Sequence, residues 1–168
     1  MSTIRLAGVV KESIVDGPGF RFVVFTQGCP HHCVGCHNPQ SHSFSGGNEY
    51  EPAQILNEID KNPLLAGVTF SGGEPFCQAE VLCELAEEIK KRGLNLIIYT
   101  GYTYEQLTEK EEQSPAVKKL LGYTDYLVDG KFIEAQKDLT LRFRGSKNQR
   151  IIDIVTTKKA GRVVTAEL

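Results

Sequence analysis

The sequence predicts an α/β fold in which a mostly parallel sheet forms part of a β/α barrel. Three observations carry that expectation. Short β-branched and aromatic runs alternate with amphipathic helical stretches, the signature of successive βα units. The unusual loops all follow the C-terminal ends of predicted strands, the edge at which parallel α/β folds build their sites. The chain has 168 residues, whereas a complete eight-fold barrel takes about 250 and seldom fewer than about 200. A partial barrel or an open sheet therefore fits the length.

Residues 4–10 read as a first strand, and Asp16-Gly17-Pro18-Gly19 is strong turn chemistry. Residues 20–26 (FRFVVFT) form an almost continuous apolar run, as expected of a strand buried on both faces. Residues 52–61 read as a short helix with proline in its first turn, and residues 67–71 as a short strand. Residues 78–92 are the clearest helix: Leu82, Leu85, Ala86 and Ile89 repeat at helical spacing, and Gly93 suits the C-terminal cap. Residues 94–100 form a strand that ends in a Gly101-Tyr102 turn, after which Thr103 and Gln106 fit a capping box. Ser114-Pro115 starts another helix that Gly122 is expected to stop. Residues 124–128 and 150–156 are the last two predicted strands. No repeat, low-complexity tract or linker divides the chain, so residues 1–168 read as one domain with right-handed crossovers.

Charge and hydropathy narrow the function. Nineteen basic side chains stand against 21 acidic ones, a net charge of -2 with no basic stripe for nucleic acid. No apolar run approaches the roughly 20 residues that span a bilayer. The N-terminus, Met1-Ser2-Thr3-Ile4-Arg5, lacks the long apolar stretch of a signal peptide. A cytoplasmic location is the expectation.

The cysteines are the first functional lead. An odd count of five argues against a disulfide framework. Cys29-Pro-His-His-Cys33-Val-Gly-Cys36 is a C-x3-C-x2-C arrangement. Three thiolates on one tight loop can hold three corners of a 4Fe-4S cluster and leave the fourth iron open to an exogenous chelate. Electron-transfer clusters close that position with a fourth cysteine. The alternative is a Cys3His zinc site using His31, His32, His37 or His42, although such sites normally arrive as two separated pairs. No spacing rule brings in Cys77 or Cys83. Six positions apart on a helix, these two do not share a face, and both read as structural.

Thr69-Phe70-Ser71-Gly72-Gly73-Glu74-Pro75 follows a strand and precedes the best helix. Its glycines permit close backbone approach of a ligand, and its spacing is neither that of a Walker loop nor that of a dinucleotide fingerprint. Alone it reads as an ordinary βα turn. Together with the cysteine loop it resembles the radical S-adenosylmethionine (SAM) superfamily, whose cluster motif is C-x3-C-x-φ-C with φ usually aromatic. Here φ is Gly35, and glycine followed by Cys36-His37-Asn38 is similar to the branch that activates anaerobic ribonucleoside-triphosphate reductases. Asp16-Gly17-Pro18-Gly19-Phe20-Arg21, Gly101-Tyr102-Thr103, Leu127-Val128-Asp129-Gly130-Lys131-Phe132 and Arg144-Gly145-Ser146-Lys147-Asn148-Gln149-Arg150 look like blocks of the same branch.

The resemblance implies a partial parallel barrel of the radical SAM type. It implies that Cys29, Cys33 and Cys36 hold a 4Fe-4S cluster, with SAM chelating the open iron. Cofactor contacts then fall on Gly35, Cys36 and His37, on Gly72, Gly73 and Glu74 at the methionine amino group, and on Asp129 and Lys131. The implied activity is that of a glycyl-radical activase. An electron from flavodoxin or ferredoxin passes through the cluster, SAM is cleaved to methionine and a 5′-deoxyadenosyl radical, and that radical removes a hydrogen from a backbone glycine of the reductase. An activase of the pyruvate formate-lyase type and a small-molecule radical SAM enzyme are the alternatives within the superfamily. Outside it, the alternative is a zinc- or cluster-holding binding module. Residues 144–150 are expected to dock the partner or to close the barrel mouth.

Overall fold

The computed structural model describes residues 3–168 of the chain. In chain order its elements are β1 (Ile4–Ser13), β2 (Arg21–Thr26), β3 (Asn48–Tyr50), α1 (Pro52–Asp60), β4 (Gly67–Gly72), α2 (Ala79–Lys91) and β5 (Asn95–Tyr99). They continue with α3 (Tyr104–Glu111), α4 (Pro115–Tyr123), β6 (Tyr126–Asp129), β7 (Arg150–Asp153) and α5 (Ile154–Ala160). The strands make one seven-stranded sheet in the order β3-β1-β2-β4-β5-β6-β7.

The central strands β2, β4, β5 and β6 run parallel. Both edges do not: β1 is antiparallel to β2 and β3, and β7 is antiparallel to β6. The expectation of a mostly parallel sheet is thus met at the centre and corrected at the edges. A parallel crossover needs a dozen or more residues, and the short 14–20 connection between β1 and β2 leaves room only for a reversal.

Strand alternation sorts the apolar residues onto two faces. Phe22, Val24, Val68, Phe70, Leu96, Ile98, Leu127 and Ile152 join one core with the buried faces of all five helices. Leu82, Leu85 and Ile89 of α2 are fully buried there, each worth about 1.5–3 kcal/mol against exposure. The opposite face packs no α-helical residue into its cluster among the described residues. Ile97, Val128 and Ile151 cluster on it, covered by Tyr99, Tyr126, Phe143 and the terminal Ala166 and Leu168. At the start of β2 the same face takes Arg21, 1% exposed, whose guanidinium donates to Thr69 Oγ1 at 2.8 Å, Val68 O at 2.9 Å and Asn95 Oδ1 at 2.9 Å. Burial lowers that guanidinium to about 10.

Local signals set most boundaries. Thr103 Oγ1 accepts from Gln106 N at 3.1 Å while Gln106 Oε1 accepts from Thr103 N at 2.9 Å, the reciprocal box expected at the start of α3. Gly122 does not stop α4, which runs on to Tyr123. The last strand ends at Asp153 and not at residue 156, because the Asp153 carboxylate accepts from Thr156 N at 2.9 Å and caps α5. The Gln78 amide fastens the entrance of α2 to the sheet. It accepts from Arg5 N at 2.9 Å and donates to Arg5 O at 2.8 Å and Gln27 O at 3.2 Å.

Candidate functional site

In-register pairing of Thr26 with Gly72 and of Tyr99 with Val128 places the C-terminal ends of the four parallel strands along one edge. Their loops meet there and are laced by backbone bonds. Gly73 N donates to Thr26 O and Glu74 N to Gly28 O, both at 2.8 Å, and Gly130 N donates to Tyr102 O at 3.0 Å.

The cysteine loop leaves β2. Cys29 is buried and Cys33 and Cys36 are half-buried. The loop is pinned near its ends, with Gly28 N donating to Ser41 O at 2.7 Å, Cys29 N to His42 O at 3.1 Å and Asn38 N to Cys36 Sγ at 3.4 Å. Burial pushes the Cys29 thiol up, partly offset by backbone hydrogen bonds at His31 and His32. Such a thiol reaches its thiolate form when a bound cation compensates the charge, and thiolate donors suit iron–sulfur clusters. Three cysteines on one loop supply the thiolate donor set that iron–sulfur clusters take. Gly35, exposed and at φ +75°, faces the loop after β6, where a Cβ would stand 3.2 Å from the Phe132 and Glu134 side chains. Cys36 and His37 line a cavity of about 420 Å³.

The turn after β4 is held differently. A Cβ on Gly72, at φ +97°, would stand 2.5 Å from Thr26 N, and one on Gly73 would collide with the Gly28 carbonyl. These glycines therefore serve the close approach of two protein backbones. Glu74 is fully buried. Its Oε1 accepts from His31 Nε2 at 2.7 Å, Thr100 Oγ1 at 2.8 Å and Gly101 N at 2.8 Å, and its Oε2 accepts from Phe76 N at 3.1 Å. One carboxylate thus ties together the cysteine loop, its own turn and the turn after β5. His31 also meets Tyr102 edge-on, ring centroids 4.6 Å apart. Thr100 is the site residue that sequence reasoning misses, 26 positions from Glu74, while His31, singled out in the sequence as a candidate zinc ligand, pairs with Glu74 across 43 positions.

Asp129 is buried, accepting from Tyr104 N at 2.9 Å and Arg150 Nε at 3.1 Å. Arg150 also reaches Glu105 at 2.6 Å, and these two carboxylates raise its guanidinium further above its ordinary value. Asp129 and the exposed Lys131 line a hollow of about 530 Å³ with Gly101 and Arg150, whereas Cys36 lines the other cavity. Within residues 144–150, Ser146 Oγ accepts from Ile133 N at 3.2 Å, Asn148 Nδ2 donates to Lys131 O at 2.7 Å and Gln149 Nε2 to Gly130 O at 3.0 Å. Those side chains fasten the loop after β6.

Cys83 is buried between α2 and α4, with its Sγ 3.2 Å from Ala116 O. Cys77 is exposed as a residue, yet burial of its sulfur, with the nearby Glu74 charge, pushes its thiol up to about 11. None of the five cysteines is in a disulfide. Among the described residues no helix is long and apolar enough to cross a membrane.

Comparison with known proteins assigns the family. Residues 15–152 match the 4Fe-4S single cluster domain. The anaerobic ribonucleoside-triphosphate reductase-activating protein of Haemophilus influenzae is 35% identical over 146 residues, 82% of this chain and 90% of that protein. Its Escherichia coli K12 counterpart is 33% identical over 144 residues, 81% and 90% of the two chains. The pyruvate formate-lyase-activating enzyme of Clostridium pasteurianum is 38% identical over 111 residues, 62% of this chain and 47% of that one. With one continuous match over the thiol loop, the Glu74 turn and the strands that carry them, the chain belongs to the anaerobic ribonucleoside-triphosphate reductase-activating protein family, whose cluster domain it shares.

Proposed function

We propose that residues 1–168 form a single radical SAM domain that generates a glycyl radical on an anaerobic ribonucleoside-triphosphate reductase. The observation that carries this reading is the junction of the two motifs. The loop bearing Cys29, Cys33 and Cys36 is joined through His31 to Glu74 at the common strand edge, in a chain that matches activating proteins over most of its length. The sheet reads as the wall of a partial barrel, with helices outside and the opposite face inside. The five unpaired thiols suit a reducing cytoplasm.

A 4Fe-4S cluster bearing SAM supplies one-electron cleavage of the sulfonium and abstraction of hydrogen from glycine, with flavodoxin or ferredoxin as the electron donor. The chain's own residues bind, orient and shield. Cys29, Cys33 and Cys36 are the cluster ligands, and Gly35 and His37 flank the nucleoside side. The Gly72–Gly73 backbone meets the methionyl part. Glu74 reaches an amino group in exchange for His31 or Gly101, so its carboxylate both braces the loop and senses the ligand. Asp129, steadied by Arg150, and Lys131 lie on the far side of the mouth. A partner loop entering that mouth excludes water from the reaction.

The test is anaerobic reconstitution with iron and sulfide, followed by SAM, reductant and the reductase, with electron paramagnetic resonance detecting a glycyl radical. A persistent radical on the reductase supports the reading. Deoxyadenosine release without a radical on the reductase would transfer the activity to another glycyl-radical enzyme or to a small-molecule substrate. Zinc binding without SAM cleavage would leave only a binding module.

A further inference from the structure

The cavity beside Cys36 has a volume of about 420 Å³, within the roughly 300–1,000 Å³ of small-molecule sites. Its walls come from Cys36 and His37, from Ser71 and Tyr99 at the ends of β4 and β5, and from Arg144 and its neighbours. Within residues 144–150 Arg144 differs from Arg150. Arg150 holds two carboxylates, whereas Arg144 pairs with none among the described residues. Arg144 Nη1 donates to Gln149 O at 3.2 Å, and its Nε is buried without a hydrogen-bond partner among the described residues.

A buried N–H on a cation is unfavourable until an acceptor arrives. The bond through Nη1 leaves the Nε–Nη2 edge, the edge that grips a carboxylate through two parallel hydrogen bonds. Phe143, immediately before it, sits at φ +58°, a conformation rare outside glycine that gathers at ligand sites. Asp16 lines the same cavity, its carboxylate accepting from Ser13 Oγ at 2.7 Å. Asp16 makes the cavity unsuited to a multiply charged phosphate, and Ser71 sets it one residue from the Gly72–Gly73 turn given above to the methionyl part.

We propose that Arg144 receives the carboxylate of the ligand in this cavity, and that this carboxylate belongs to the methionyl part of SAM. This inference rests on the function proposed above. It gives Arg144 a task apart from the remainder of its motif, which fastens the loop after β6.

The test uses the iron-loaded protein under anaerobic conditions and two non-cleavable probes that differ by one group, S-adenosylhomocysteine and its decarboxylated analogue. Affinities are measured by equilibrium dialysis for wild type, R144Q and R144K. The expected result is a loss of about tenfold or more for S-adenosylhomocysteine in R144Q, with the decarboxylated analogue unchanged within about twofold. R144K, which keeps the charge and loses the two-bond edge, should fall between. If R144Q binds both probes as wild type does, the inference is overturned and the proposed function stands. Equal weakening of both probes also overturns it, because the arginine then shapes the site without reading the carboxylate. A wild type that binds neither probe refutes the SAM reading itself. Should R144Q fail to retain iron, R144K decides by the same criterion: selective loss supports, equal or no loss overturns.

Discussion

Two loops leave neighbouring parallel strands at the same edge, and they are built in opposite ways. After β4, the Glu74 carboxylate is fully buried and accepts from a ring nitrogen, a hydroxyl and two backbone amides. After β2, Cys33 and Cys36 stay half-buried, and burial makes the Cys29 thiolate costly without a counter-charge. The carboxylate finds all its hydrogen-bond partners within the protein, whereas the thiols are the ligands proposed for a cluster. The residue that is fully partnered therefore braces the loop proposed to take the cluster. The same division recurs between Arg150, which holds two carboxylates, and Arg144, which holds none among the described residues.

That comparison is open to breaking, and the largest effect tests its metal-dependent side. Cys29→Ala, Cys33→Ala or Cys36→Ala should abolish the cluster, measured as iron and sulfide per chain, while Cys77→Ala and Cys83→Ala retain it. A Cys77→Ala protein without iron would move the ligand set. Next comes Gly73→Val, whose side chain would press on the Gly28 backbone. It should lose iron and SAM binding together; retention of iron with loss of SAM binding alone would leave this turn its ligand contact and deny it the bracing of the cysteine loop.

Glu74→Ala should be severe for a different reason. It strands several buried donors, each costing about 1–3 kcal/mol, so a loss of about 3 kcal/mol or more should appear as a lower urea midpoint. Glu74→Gln keeps one acceptor oxygen and should lose less; equal losses would deny the carboxylate its bracing role. The smallest effect sharpens the contrast at the surface. Glu105 is largely exposed beside Arg150, so Glu105→Gln should cost under about 1 kcal/mol and its Tm difference should vanish at 1 M salt.

Legibility in the sequence followed the range of the interactions. The helix α2 and the Thr103–Gln106 box depend on neighbours three to seven positions away, and both stand where expected. The cysteine loop and the glycine turn were recognisable as linear motifs, and the parallel strands brought them to one edge. Strand β3 (Asn48–Tyr50) was not legible, since its polar, mostly exposed residues show no alternation. The 150–156 run favoured a strand by its β-branched composition, yet the Asp153 cap turned its second half into helix. The antiparallel pairing of β1 with β2 went unread, although their short connection leaves no room for a parallel crossover. What no local pattern carried was the Glu74 bridge, which joins positions far apart in the chain through a single buried carboxylate.

The Gln78 amide, which mimics a rung of the ladder beside Arg5, also has a consequence for biogenesis. Strand β1 emerges first during translation, but its clasp lies 73 positions later. At roughly 5–20 residues per second, about 4–15 s separate the two. During that interval β1 has β2 as its partner without the clasp, whose three hydrogen bonds form only after the nascent chain has grown past α2's entrance. Substituting Gln78 by Leu would leave Arg5 N without that acceptor for good, and a slower protection of β1 in newly made chains would be the visible result.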